Sequence, residues 1–316
     1  VTQDVPPGTH VVLGTGQTGR HVAQVLLEVD ADVRVVNRSG EAPGAIADDV
    51  DVVAADVSRS DAAISACGDA AVVYCCLQVP YTAWPDRFPP LLDAVVNGAA
   101  EADARFVLAD NLYMYGPVSG PITEDLPYAA TSRKGRVRAA MAETVLEAHD
   151  DGGVRATIGR ASDFYGPGVT GSLAGERLFP AVLSGGTVWF LGDPDAPHTY
   201  TYIRDFAEGL VTLGANESAL GEAWHVPSAE TMTTREFVAL AGEVAGTEPT
   251  VRRLPSWLMG VVGRVSSTIG ELREIRYQFE EPFEVSHEKF ATSFELEPTP
   301  HREAIAETLE WYEQEH

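Results

Sequence analysis

The sequence predicts an α/β fold, a doubly wound parallel sheet with a smaller α/β C-terminal part. Two features carry that expectation. From residue 9 to residue 160, short β-branched runs alternate with amphipathic stretches, and the first run leads straight into a glycine-rich turn. The runs are "THVVLG", "DVRVVN", "DVDVVAAD", "AAVVYCCL", "ARFVLAD" and "VRATIGR". They are almost continuously apolar, as strands covered by helices on both faces must be. Between most of them lie "TGRHVAQVLLEV", "PPLLDAVVNGAAEA" and "VRAAMAETVLEAHD", with apolar residues at helical spacing, and the short helix "SRSDAAISACG" follows the third strand.

Beyond Gly166 the alternation loosens. "GERLFPAVLSG" predicts a helix, "TYTYIRDFAEGLVTL" a strand running into a helix, and "EAWHVP" a strand. "TTREFVALAGEVAG" opens on threonines suited to capping, and "HREAIAETLEWYEQ" closes the chain as a helix. The expected division is 8–172 and 198–226 for the sheet domain, with 173–197 and 227–316 forming the smaller, substrate-binding part.

The glycine turn gives the sheet its chemistry. "VVLGTGQTGRHVAQVLL" sets Gly14, Gly16 and Gly19 in the order G-x-G-x-x-G, directly after a strand and opening a helix that begins with Gln17 and Thr18. Gly14 permits the tight turn, Gly16 lets backbone approach a pyrophosphate, and Gly19 lets helix lie on strand. The anion then rests on the free N–H groups of the helix start, the arrangement of a Rossmann dinucleotide site. The second strand ends "VVNRSG", where an NAD site usually carries Asp or Glu for the ribose. Asn37, Arg38 and Ser39 stand there instead, and an arginine pairs with a 2′-phosphate that a carboxylate would repel, so NADP is expected rather than NAD. Asp56 and Val57 end the third strand near the adenine edge, and Leu77 and Gln78 follow the fourth, bordering the cofactor.

Bulk properties narrow the partners. With 47 acidic against 22 basic residues the formal charge is −25, which repels nucleic acid. Only two lysines accompany 20 arginines, and the acidic residues are scattered rather than gathered in a tail. That composition suits a salt-rich, halophilic cytoplasm; an acidic enzyme of ordinary habitat is the alternative. No run of about 18 apolar residues and no basic-then-apolar leader are present, so a soluble, unprocessed cytoplasmic protein with no membrane contact is expected. Cys67, Cys75 and Cys76 lack metal-ligand spacing and read as buried thiols; no metal is expected.

Taken together, "LGTGQTG", "ADV", "DNLYMYGP", "GRASDFYGPG", "YTYIRDFAEGL" and "WHVPSAETMTTREF" resemble the extended short-chain dehydrogenase/reductase family, which holds the NAD-dependent epimerases and dehydratases of nucleotide sugars. The resemblance covers nearly the whole chain, with Asp163 where the family's R-x-x-N-V-Y-G-P-G stretch has asparagine. It implies a Ser or Thr that orients the substrate and a Tyr-x-x-x-Lys pair, with the tyrosine as acid and base. This chain departs at all three positions. Asn111 takes the serine's place, Lys134 the tyrosine's and Arg138 the lysine's.

Arg138 can still hold ribose hydroxyls, but it stays protonated and cannot act as an acid. Lys134 beside it is the first candidate proton donor. Tyr113, two residues from Asn111 and on the same side of an extended backbone, is the second, while Tyr115 more often packs structurally. Asn111 can polarise a carbonyl without transferring a proton. Tyr81 and Trp84 on one side and Phe164 and Tyr165 on the other are expected to wall the substrate, and His198 and Arg204 to lie where the family reads a substrate phosphate. The expected activity is an NAD(P)-dependent oxidoreductase or epimerase/dehydratase acting on a carbonyl or hydroxyl of a small molecule, with a nucleotide sugar as one candidate. A non-catalytic NADP-binding sensor and a lyase using the nicotinamide electrostatically are the alternatives. A homodimer through "PPLLDAVVNGAAEA" and "VRAAMAETVLEAHD" is expected, as the family often forms.

Overall fold

The computed structural model describes residues 4–44, 46–254 and 273–315. Residues 255–272, within the stretch expected to complete the smaller part, lie outside the described residues. The central sheet takes β1 (Thr9–Leu13), β2 (Asp32–Asn37), β3 (Asp51–Ala54), β4 (Ala70–Cys75), β5 (Arg105–Asp110), β6 (Arg155–Arg160) and, from late in the chain, β11 (Ala223–His225). Its order is β11-β6-β5-β4-β1-β2-β3, and every neighbouring pair is parallel. The chain leaves β1 toward one edge and β4 toward the other. The crevice between them, at the carboxyl ends, is where ligands bind in such sheets.

Helices cover both faces. On one, α2 (Ser60–Cys67), α3 (Trp84–Glu101) and α4 (Arg133–Asp150) bury Ala63, Val95 and Met141 against Val73, Phe106 and Ile158. On the other, α1 (Gln17–Glu28) and α6 (Ile203–Ala215) bury Leu26, Phe206 and Leu210 with Val12, Val35 and Val107. Alternate residues of one strand therefore serve opposite cores, which explains the uninterrupted apolar runs. Cys67, Cys75 and Cys76 are buried free thiols, and burial pushes Cys75 to about 11 and Cys67 to about 12.

A second assembly sits over the crevice. Short strands β7 (Asp163–Tyr165) and β10 (Tyr200–Tyr202) pair in parallel, as do β8 (Thr187–Phe190) and β13 (Thr250–Arg253), while β9 (Pro197–His198) and β12 (Met232–Thr233) pair antiparallel. They pack with α5 (Phe179–Leu183), α7 (Thr234–Ala245) and the helix His301–Glu315 around Phe179, Phe237 and Tyr312. Thr233 caps α7 as expected. Its hydroxyl accepts from the Glu236 amide at 3.1 Å, and Glu236 accepts from the Thr233 amide at 2.8 Å, closing a capping box. The helix at "GERLFPAVLSG" is shorter than expected, five residues of α5 after a run of turns. α3 begins earlier, at Trp84, with Pro85 in its first turn, where the missing N–H has no partner anyway, and it carries Pro89 and Pro90 in its interior.

Candidate functional site

The phosphate loop is built by exclusion. A Cβ on Gly19 would lie 1.8 Å from the Gly14 carbonyl oxygen, so α1 can close on β1 only with glycine at that position. A Cβ on Gly16 would meet nothing within 4 Å: its neighbourhood is open space on the crevice side. Gly16 also caps α1 without any side-chain hydrogen bond, leaving the first-turn N–H groups available to an anion.

From this loop a cavity of about 990 Å³ runs along the carboxyl ends of the strands. Gly14, Gly16, Gln17 and Thr18 line its middle, and Asn37, Arg38, Ser39, Asp56 and Val57 one end. Leu77 and Gln78 edge it, and Tyr81, Trp84, Asn111, Tyr113, Arg138 and Phe164 line the other end. Gly19 lies behind the loop. Asn37 organises its end rather than facing a ligand. Its amide donates to Thr15 Oγ1 (2.9 Å) and the Glu41 carbonyl (2.7 Å), and its oxygen accepts from Ser39 Oγ (3.0 Å) and the Gly40 amide (2.8 Å). Every polar valence of that side chain is used. Arg38 is left exposed in the cavity.

A second cation joins it. Arg87, on the first turns of α3, lines the same cavity. The Ser58 hydroxyl and amide hold Asp56 below the ordinary carboxylate range, and Arg38 and Arg87 both add to that effect. The sequence carried no signal for Arg87, which only the packing of α3 beside β4 brings to this end.

Of the two cations at the head of α4, Arg138 lines the cavity and Lys134 does not. Lys134 is 2% exposed and does not line the cavity. Its Nζ lies 5.2 Å from the centre of the Tyr81 ring, while its backbone amide donates to Glu274. The local fold forces this burial. A Cβ on Gly135 would lie 2.5 Å from the Tyr113 carbonyl, so the head of α4 is pressed onto the turn Tyr113–Tyr115. Arg138, also 2% exposed, donates from Nη1 to Asp110 Oδ1 at 3.1 Å and stacks on Trp84 and Phe88 at 4.3 and 4.7 Å. Asp110 lies between it and Arg160, whose Nε is 3.5 Å from the other carboxylate oxygen.

Hydroxyls occupy the space instead. Tyr81 Oη and Tyr113 Oη are 3.1 Å apart, with Tyr81 stacked on Trp84. Burial, with Tyr81 and Asp163 nearby, pushes the Tyr113 phenol well above its usual range, so the hydroxyl keeps its proton. Asn111 Oδ1 accepts from the Tyr113 amide at 3.1 Å, leaving the Asn111 NH₂ as a donor toward the cavity. Ser162 lines the same end with a buried hydroxyl that has no hydrogen-bond partner among the described residues, a group a bound oxygen would satisfy.

Four residues expected at the substrate lie outside the cavity, each for a visible reason. Tyr115 is buried, accepting from Arg160 at 2.7 Å and bonded to His225 at 2.9 Å. Tyr165 is in the core of the second assembly, 2.8 Å from His301. Arg204 reaches back across α6 to Glu28 of α1 and to Glu208. His198 is 3% exposed, wedged between the rings of Phe279 and Phe283. Sequence reasoning missed Arg177, Ile275, Gln278, Phe279 and Phe283, which line the substrate end from distant parts of the chain.

The open Gly16 cradle, the unfilled helix start and the Ser162 hydroxyl together fit a dinucleotide carrying a polar ring at its far end. Among the described residues no group of His, Cys, Asp and Glu is arranged to hold a metal, and no helix is long and apolar enough to cross a membrane.

Solved structures share this architecture at low identity. A UDP-glucuronic acid 4-epimerase from Bacillus cereus, in complex with NAD, superposes with a TM-score of 0.77 at 18% identity, over 97% of each chain. An epimerase from the methanogen Methanothermobacter thermautotrophicus gives 0.80 at 14%, over 99% of this chain and 94% of that one. A dTDP-glucose 4,6-dehydratase from Bacillus anthracis, in complex with NAD, gives 0.76 at 15%, over 97% and 96%. No curated protein sequence matches the chain. The family model for NAD-dependent epimerases and dehydratases matches residues 11–226, from β1 to the end of the last sheet strand, and the chain belongs to that family.

Proposed function

We propose that the protein is an NADP-dependent oxidoreductase that reduces a carbonyl of a small molecule, or oxidises the corresponding hydroxyl, with Tyr113 in place of the family's catalytic tyrosine. One observation carries this reading. A single cavity joins the anion-ready start of α1 to the Tyr81–Tyr113 hydroxyl pair. Two of the structural relatives, the 4-epimerase and the 4,6-dehydratase, were solved with NAD; here NADP is favoured because Arg38 and Arg87 flank the ribose end and no carboxylate ends β2.

The bound nicotinamide supplies or takes the hydride. The chain provides the rest. The Asn111 amide donates to the substrate oxygen, Tyr113 gives that oxygen its proton, and Tyr81 and Trp84 offer a flat aromatic wall. Burial keeps the phenol protonated at rest, the form that reduction of a carbonyl requires of its proton donor. Lys134, behind the Tyr81 ring, serves the wall rather than the substrate. The wall suits a sugar face, as in the nucleotide sugars of the relatives, or a flatter ketone. The charge pattern is read as adaptation to a salt-rich cytoplasm, and a dimer through α3 and α4 is retained as part of the proposal.

The loss of the Tyr-x-x-x-Lys pair favours the competing reading, a sensor that binds NADP without turnover. A screen of carbonyl compounds with NADPH decides between them. The proposal expects turnover that Tyr113→Phe lowers about 100-fold or more with NADPH affinity unchanged. NADPH binding with no turnover across the screen would leave the sensor.

A further inference from the structure

Five buried histidines among the described residues, His10, His21, His198, His225 and His301, each rest one ring nitrogen on a backbone carbonyl, and three of them place a tyrosine hydroxyl at the other. His225 has the Ser286 carbonyl at 3.0 Å and Tyr115 Oη at 2.9 Å. His301 has the Glu230 carbonyl at 2.9 Å and Tyr165 Oη at 2.8 Å, and His10 the Pro6 carbonyl at 2.9 Å and Tyr74 Oη at 3.4 Å. A carbonyl only accepts, so it fixes the N–H at the first nitrogen. The hydroxyl then donates to the second, and the ring is fully satisfied while neutral. Burial lowers the pKa of all three.

His198 breaks the pattern. Nδ1 rests on the Gln278 carbonyl at 3.1 Å, which fixes a proton there, but Nε2 faces the Asp163 carboxyl, 2.9 Å from Oδ2. A bare nitrogen lone pair does not sit 2.9 Å from a bare carboxylate oxygen. One further proton must lie between them, on the ring as imidazolium or on the carboxyl as acid, and either way the pair holds it jointly. The position is sheltered. His198 is stacked between Phe279 and Phe283, and among the described residues it is the only ion-pair partner of Asp163.

Asp163 is also the residue that departs from the family's asparagine, and its carboxyl is 21% exposed at the substrate end of the cavity. An asparagine would donate to Nε2 from its own NH₂ and no shared proton would be required. The titratable groups facing Asp163 are Tyr81 and Tyr113 across the cavity and Tyr200 from β10, with Arg138 behind the first two. Burial outweighs the one cation that favours a Tyr113 phenolate, Arg138, and the Asp163 carboxyl opposes it, so a proton given up there has to be replaced.

We propose that Asp163 and His198 form a proton-holding pair that resupplies Tyr113. In reduction the substrate oxygen takes the Tyr113 proton as the carbonyl carbon receives hydride from the reduced nicotinamide. The pair's shared proton then passes to the Tyr113 oxygen, directly or through one water. That leaves Asp163 as carboxylate beside neutral His198, and solvent returns the proton. His198 acts through Asp163 and is a positioning residue; the role of the pair rests on the proposed reduction, but its protonation does not.

Nitrogen-15 and carbon-13 NMR of the cofactor-free protein tests the pair directly at the pH of the carbonyl assay. The proposal expects Nδ1 protonated and an added proton, seen either as a protonated Nε2 or as a protonated Asp163 carboxyl. In Asp163→Asn the ring should become neutral at Nε2. Wild-type protein with a bare Nε2 beside an ionised Asp163 overturns the proposal, and this spectrum needs no variant to fold. Kinetics test the resupply. Asp163→Asn should lower kcat about 10- to 100-fold with NADPH affinity unchanged, and an unchanged kcat overturns the relay even if the shared proton is present. Failure of the wild type to bind NADPH would count against the oxidoreductase reading alone, since the spectrum is recorded without cofactor.

Discussion

Lys134 shows how far a residue's identity falls short of its role. Alignment puts it where the family keeps its acid, and its rarity in this chain draws attention to it. What alignment cannot supply is direction. Gly135 lets the head of α4 close on the Tyr113 turn, and the ammonium ends beneath the Tyr81 ring instead of in the cavity. Tyr113 and Asn111 were legible because they adjoin the end of a predicted strand, where Rossmann sheets place their chemistry. Arg87, Ser162 and Phe279 were not, because their arrival at the cavity depends on tertiary packing. Lys134→Met should therefore spare most of the turnover while lowering stability by about 1–3 kcal/mol, through the lost ammonium–ring contact and the partners left behind. Thermal melting and the carbonyl assay check this together; a loss of activity matching that of Tyr113→Phe would return the acid role to Lys134.

At the scale of elements, the long strands and helices were readable from periodicity, since a five- or six-residue apolar run with a glycine turn has one sensible place in a covered sheet. The strands β7 and β9, which carry Asp163 and His198, were not, because two or three residues carry no period. One joint between elements has a measurable consequence. His21 of α1 donates from Nε2 to the Pro167 carbonyl at 2.9 Å, tying α1 to the loop after β7, and burial lowers its pKa from 6.5 to about 4. The folded state thus resists a proton that the unfolded chain accepts. The joint's contribution is complete above pH 6.5 and is lost as pH falls from there toward about 4, a change of roughly 3 kcal/mol at about 1.4 kcal/mol per unit. In His21→Gln, which keeps a donor to Pro167 but does not titrate, the fall in melting temperature between pH 6.5 and 4 should be shallower than in the wild type. Parallel pH curves would show that the buried imidazole is not the source.

For the whole molecule, one topological reversal organises everything else. β1 lies between β4 and β2, the chain diverges there, and the crevice so formed receives the glycine turn, the arginines and the hydroxyl pair from separate crossovers. Strand–helix alternation made that reversal legible before any coordinates; the covering assembly, gathered from distant segments, was not. The central claim is that a dinucleotide lies across this reversal with a 2′-phosphate between Arg38 and Arg87. Titration calorimetry of NADPH and NADH in concentrated salt tests it most directly, with the wild type and with Arg38→Ala and Arg87→Ala. The account predicts tighter binding of NADPH, weakened about 10- to 100-fold by either substitution, with NADH left nearly unchanged. Binding of neither coenzyme, or of both with equal affinity and equal response to the substitutions, would contradict it.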